Sequence, residues 1–202
     1  AVVTGGALEE QWGAQSRPVD FFDLKADLEA VLALTGCPQQ FSAAPGEHPA
    51  LHPGQSARIE RSSEDVGWIG MLHPAIGKRL DLGGNAYLFE IRLDALQNGA
   101  LPAFEPLSKY PSIRRDLAIT VDRAVSWQQI RACVASAAPE ILKDISLFDV
   151  YTGEKIDSGR KSLALGLILQ ASSHTLTDED VEDTVSAVLK RLESEFDARL
   201  RD

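Results

Sequence analysis

Methionine occurs once, at Met71, and cysteine twice, at Cys37 and Cys133, in a chain of 202 residues. Two cysteines so far apart, each in an apolar and helix-like stretch, make neither a disulfide framework nor a paired-cysteine metal motif. They read as reduced core thiols of a reducing compartment. No stretch approaches the roughly 18 consecutive apolar residues of a membrane-spanning helix, and the opening AVVTGGALEEQWG lacks the basic segment and apolar run of an export signal. These absences lead us to expect a cytoplasmic protein with no membrane contact. Positive charge is also scarce. Twenty Lys and Arg against 30 Asp and Glu give a net charge of -10, the wrong sign for holding nucleic acid by bulk electrostatics. DNA binding is not expected, and any RNA contact must be local. Because the only methionine is internal and AVVTG reads as a strand entered in midstream, we expect a piece cut from something longer.

What is present is enough apolar sequence, 44% of residues, to bury one large core or two small ones. In the first half, residues 1–4 read as a strand. DFFDLKADLEAVLALTG reads as a helix capped by Asp20, with Leu24, Leu28, Val31 and Leu32 at helical spacing and Gly36 to end it. AAPGEHPALHPGQ is expected to be loop. ARIE, VGWIGML and NAYLFEIRL read as strands of an antiparallel sheet, with PAIGKRL a short helix between the last two. Residues 95–112 carry three prolines and no helical period, so the expected division is a domain at 1–98, a linker at 99–108 and a second domain at 109–202.

The second domain has a clearer grammar. RDLAITV alternates as a strand, and SWQQIRACVASAAP is a helix with Ser126 and Gln129 at capping-box spacing and a stop at Pro139. DISLFDVYTG and KSLALGLILQA are strands joined by the polar hairpin GEKIDSGR. Thr177 then caps a helix with Val181, Val185, Val188, Leu189, Leu192 and Phe196 on its apolar face, and ARLRD supplies a short last strand. Strand, helix, strand, strand, helix, strand is the ferredoxin-like βαββαβ order, with both helices on one face of a four-stranded sheet. The fold class is therefore α+β throughout.

Alternation says what the other face shows. If Leu117, Ile119, Val121, Phe148, Val150 and the leucines at 163, 165, 167 and 169 point into the core, the open face carries Asp116, Ala118 and Thr120, then Leu147, Asp149 and Tyr151, then Ser162, Ala164, Gly166 and Ile168. Small residues let a planar ligand approach the backbone. Tyr151 offers a stacking ring, and Asp149 and Ser162 offer hydrogen-bonding groups for base edges. Lys109, Arg114, Arg115, Lys155, Arg160 and Lys161 are expected at the rims as phosphate contacts. From pattern alone two readings stay open: an RNA-binding face, or a face covered by another domain with solvated cations around it.

EPLSKYPSIRRDLAITV, LFDVYTGEKI, GRKSLALGLILQ and TDEDVEDTVSAVLKRLE resemble the anticodon-binding ferredoxin-fold domain of the bacterial phenylalanine-tRNA ligase beta subunit family. EEQWG, RPVDFFDLKADLEAVLALTG, HPGQSA and GMLHPAIGKRLDL followed by YLFEI resemble the region that precedes it. The resemblance covers essentially the whole chain in order and implies a C-terminal portion. Its first half would end a non-catalytic class II synthetase-like domain that packs on the catalytic alpha subunit in an (alpha-beta)2 assembly. Its second half would bind the anticodon stem-loop of phenylalanine tRNA. The implied RNA contacts fall on Ala118, Asp149, Tyr151 and Ser162. No catalytic residue is implied here, and ATP and magnesium belong to the full enzyme. The ending FDARLRD departs from the family pattern, which has a glycine before a clear last strand.

Other motifs carry less. His48 and His52 are separated by prolines without paired cysteines, so no metal site is expected. The GGN and TGG glycines lack a phosphate-loop setting, and no nucleophile stands beside a base. The alternative function is a ferredoxin-like regulatory module that binds a small metabolite and dimerises through its sheet. Such a module would want a glycine-bearing loop after its first strand, where this chain has DRAVSW.

Overall fold

The computed structural model describes residues 1–101, 104, 107–153 and 156–201. It divides into two compact units, Ala1–Phe104 and Glu105–Asp202. None of its helices among the described residues is long and apolar enough to cross a membrane.

The first unit is a five-stranded antiparallel sheet with helix packed on it. Its elements are β1 (Val2–Thr4), α1 (Phe21–Ala33), β2 (Phe41–Pro45), β3 (Leu51–Arg61), β4 (Glu64–Leu72), α2 (Pro74–Arg79), β5 (Ala86–Ile91) and α3 (Leu93–Gln97). The sheet order is β1-β5-β4-β3-β2. Asp20 caps α1 in a reciprocal box with Asp23, and Leu24, Leu28 and Leu32 bury against Ile59, Val66, Ile69 and Phe89.

One expectation fails here. The proline-rich stretch read as loop, residues 43–55, supplies the end of β2 and the beginning of β3. Pro45 is tolerated because β2 is an outer strand. Pro53 and Gly54 fall where the β3–β4 register slips between Leu51 and Ser56. Edges and bulges are the places where a sheet accepts proline. His48 and His52 serve these turns, each accepting a backbone N–H through Nδ1, from Ala50 and Gly54 respectively.

The second unit contains β6 (Ile113–Asp122), α4 (Trp127–Ala137), β7 (Leu142–Tyr151), β8 (Arg160–Leu169), α5 (Asp178–Phe196) and β9 (Arg199–Leu200). The sheet order β7-β8-β6-β9, with every neighbour antiparallel, is the ferredoxin-like arrangement. Ser126 and Gln129 form the capping box of α4, and Thr177 and Asp180 that of α5. Ile130, Cys133 and Val134 of α4 and Val181, Val188 and Leu192 of α5 close over Ile119, Val121 and the four β8 leucines. Both helices lie on one face. Among the described residues the other face carries no helix of this unit.

Candidate nucleic-acid interface

The register fixes which side chains share the open face, because directly opposed residues of neighbouring strands point the same way. Ala118 faces Ala164, Asp116 faces Gly166 and Thr120 faces Ser162. On the far side of β8, Ser146, Asp149 and Tyr151 face Gly166, Ala164 and Ser162. Arg199 faces Thr120, and the Arg201 N–H continues the ladder to the Ala118 carbonyl. Ala118, Ala164 and Gly166 therefore make a floor of small residues in the middle of the sheet. The structure places Asp149 on this face, exposed and with no hydrogen-bond partner among the described residues.

The second strand does not alternate as its sequence suggests. Leu147 opposes Leu165, yet Asp149 opposes Ala164, so two steps on β7 match one on β8. Phe148 is the extra residue of a β-bulge. Leu147, expected on the open face, points to the helix side and packs on the core. Phe148, expected in the core, is 53% exposed and reaches Arg114 of the open face, whose guanidinium carbon lies 5.4 Å from its ring centroid. Val150 opposes Leu163 on the helix side but is still half exposed on this outer strand.

Two arginine-aromatic pairs result. In the first, Arg114 lies across Gly166, where an added Cβ would come within 3.1 Å of the guanidinium, and its Nε donates to Asp116 Oδ1 at 2.8 Å. In the second, Arg201 sits 5.3 Å above the Tyr151 ring and its Nη1 donates to Ser162 Oγ at 3.3 Å. Tyr151 also leans on Gly153, where a Cβ would stand 2.2 Å from the phenol oxygen. Ser162 is consequently only 4% exposed; the tyrosine and arginine are its cover.

The expected cations separate into groups. Arg114 is on the open face and Lys109 is exposed on the segment leading into β6. Arg115 points to the opposite side, into a groove lined by Leu117, Val181, Val185 and Leu189, because consecutive strand residues alternate. Lys161 opposes core-facing Val121 and donates to the Arg123 carbonyl at 3.1 Å. Arg160 is occupied by Asp197 at 2.9 Å and by the Thr120 carbonyl at 2.8 Å. Lys155 lies outside the described residues. Phe148, Arg199 and Arg201 were missed. The two arginines were findable, since positions two apart in ARLRD share a face if the ending is a strand. Among the described residues no three His, Cys, Asp or Glu side chains gather as metal ligands.

Comparison with known families assigns the two units separately. Residues 1–93 match the family described as the phenylalanyl tRNA synthetase beta chain CLM domain, and residues 108–201 match the ferredoxin-fold anticodon binding domain. The phenylalanine-tRNA ligase beta subunit of Nitrosococcus oceani is 48% identical over 202 residues, all of this chain and 26% of the relative. That of Pseudomonas savastanoi pv. phaseolicola is 48% identical over 200 residues, 99% of this chain and 25% of the relative. The subunit of Methylococcus capsulatus is 44% identical over 201 residues, 100% of this chain and 25% of the relative. The chain thus spans about a quarter of the length of the curated relatives it matches.

Proposed function

Because this chain belongs to the family of phenylalanine-tRNA ligase beta subunits, we propose that its second unit holds the anticodon stem-loop of phenylalanine tRNA on the open sheet face. It does so as the C-terminal portion of a longer beta subunit. That subunit assembles with a catalytic alpha subunit in a cytoplasmic (alpha-beta)2 ligase attaching phenylalanine to tRNA. ATP and magnesium are assigned to other parts of that assembly, and this chain supplies binding rather than chemistry.

The observation that carries the reading is the floor of Ala118 and Ala164, bordered by Gly166 under Arg114, with Asp149 beside it and without a hydrogen-bond partner among the described residues. A base lying flat on small side chains can bring its edge to the backbone. The Asp149 carboxylate then accepts a hydrogen bond from a ring or exocyclic N–H, which a phosphate, having no donor, cannot replace. Stacking is supplied by Tyr151 with Arg201 as the outer layer, a guanidinium plane being itself a surface on which bases stack. The first unit supports the assembly role through its exposed apolar side chains, including Val2, Trp12 and Phe22.

Titration of the 202-residue chain with labelled phenylalanine tRNA and with an unrelated tRNA, at one fixed salt concentration, tests this. Phenylalanine tRNA should bind more tightly, and Tyr151→Ala should cost about 1 to 3 kcal/mol, the usual worth of one base on an aromatic ring. Equal affinity for both tRNAs, or none for either, would sink the reading.

A further inference from the structure

We propose that Phe148 and Arg114 form a second, separate base-stacking site for an unpaired RNA loop, an inference that rests on the RNA-binding reading of this face. A bulge delivers Phe148 to the open side, where it is 53% exposed, although an aromatic ring on a sheet is ordinarily worth most when buried. Arg114 is fixed beside it from three directions: the Phe148 ring, the Gly166 backbone and the Asp116 carboxylate on Nε. This leaves both terminal nitrogens, the fork that matches phosphate, without a hydrogen-bond partner among the described residues. A preformed ring and a preoriented cation with spare donors are what a nucleotide needs at once, one for its base and one for its phosphate.

Spacing decides what kind of RNA fits. Because the bulge sets Phe148 and Asp149 together against Ala164 while Tyr151 opposes Ser162, the two platforms stand roughly 7 Å apart at about 3.3 Å per residue, whereas stacked bases follow one another at about 3.4 Å. Neighbouring stacked bases therefore cannot reach both platforms. The ligand must present splayed bases, as a single-stranded loop does and a duplex does not. Arg199 and Arg201 on the same face extend the positive charge along the path.

The experiment uses the 202-residue chain and a hairpin RNA with the sequence of the phenylalanine tRNA anticodon arm, carrying 2-aminopurine at one loop position at a time. Phe148→Ala should weaken binding roughly 5- to 100-fold, Phe148→Trp should retain it, and Arg114→Gln should weaken it. The loop position whose fluorescence responds to Phe148→Ala should differ from the one that responds to Tyr151→Ala. If Tyr151→Ala weakens binding while Phe148→Ala and Arg114→Gln behave as the parent, this second site is wrong and the first reading stands. If both aromatic replacements perturb the same loop position, the platforms are not separate and the inference is overturned. If the parent chain does not bind the hairpin, both readings fall.

Discussion

Arg160 Nη1 donates to Asp197 Oδ2 at 2.9 Å, fastening the start of β8 to the residue that ends α5. Asp197 has φ 47 and ψ 38, the left-handed conformation of a helix C-cap, at the turn before the last strand. Aspartate visits this region more readily than other residues with a Cβ, and here its carboxylate also receives the arginine. Arg160 goes on to donate to the carbonyls of Asp197 and Thr120, so one side chain joins the hairpin, the helix end and the central strand.

Replacement at this turn should separate backbone strain from the ion pair. Asp197→Gly removes the strain and the carboxylate together and should change stability by less than about 1 kcal/mol. Asp197→Ala removes only the carboxylate and should be roughly 1 to 2 kcal/mol worse than the glycine variant. Arg160→Met strands two carbonyls and should cost on the order of 1 to 3 kcal/mol. Urea denaturation measures all three. An alanine variant as stable as the glycine variant would refute the strain argument.

The bulge makes an opposite pair of predictions for two large side chains on adjacent strands. Leu165→Ala, at a fully buried position, should destabilise the unit by roughly 2 to 5 kcal/mol through the cavity it leaves. Phe148→Ala, on an exposed ring, should cost less than about 1 kcal/mol. If the phenylalanine proves as costly as the leucine, Phe148 is a core residue after all and the open face has been assigned one residue out of register.

Cys133 lies on the core-facing side of α4 and is buried. Burial, reinforced by the nearby Glu195 carboxylate, pushes its thiol up to about 11 from an ordinary value of 9.0. The fold therefore favours the neutral thiol. This contribution is complete below the unfolded thiol's pKa and is lost as pH rises through about 11. At pH 8, Cys133 of the folded protein should resist iodoacetamide and react promptly in urea; fast labelling without denaturant would contradict its burial.

Asp23 receives both terminal nitrogens of Arg17, at 2.7 and 2.6 Å. That contact, with the Asp20 backbone N–H, lowers its carboxyl to about 2. A depressed acid stabilises the fold above its unfolded value and loses that contribution as pH falls, here between about 4 and about 2. An NMR titration should find the Asp23 midpoint near 2 and should move it upward in Arg17→Ala. An unchanged midpoint in that variant would rule out the guanidinium as its main cause.

These contrasts show which features the sequence makes legible. Helices are readable because their start signals are local: Asp20, Ser126 and Thr177 each cap the helix they announce. The β8 leucines are readable because an inner strand with regular register obeys strict alternation. Phe148 is not, because a bulge is a property of two paired strands and leaves no mark on one of them. The rim cations fail for a related reason. Net charge and proximity in sequence do not say that Arg114 and Arg115 face opposite ways, nor that Arg160 is already engaged by a residue from the far end of the domain.

The side of the sheet that meets RNA can be read from salt dependence. Each cation that neutralises a phosphate releases counterions, so its removal flattens the slope of log K against log salt by about 1. Arg199 and Arg201 share the open face, whereas Arg115 and Lys161 lie on the helix side. Arg199→Gln and Arg201→Gln should each flatten the slope for every tRNA tested, because phosphate contacts carry no sequence information. Arg115→Gln and Lys161→Gln should leave it unchanged. Asp149→Ala should behave differently again. A carboxylate repels phosphate and, on this reading, accepts from a base edge, so its loss should narrow the gap between phenylalanine tRNA and other tRNAs more than it lowers affinity. If Arg115 and Lys161 set the slope while Arg199 and Arg201 do not, RNA docks on the helix side, and the floor of Ala118, Ala164 and Gly166 belongs to some other contact.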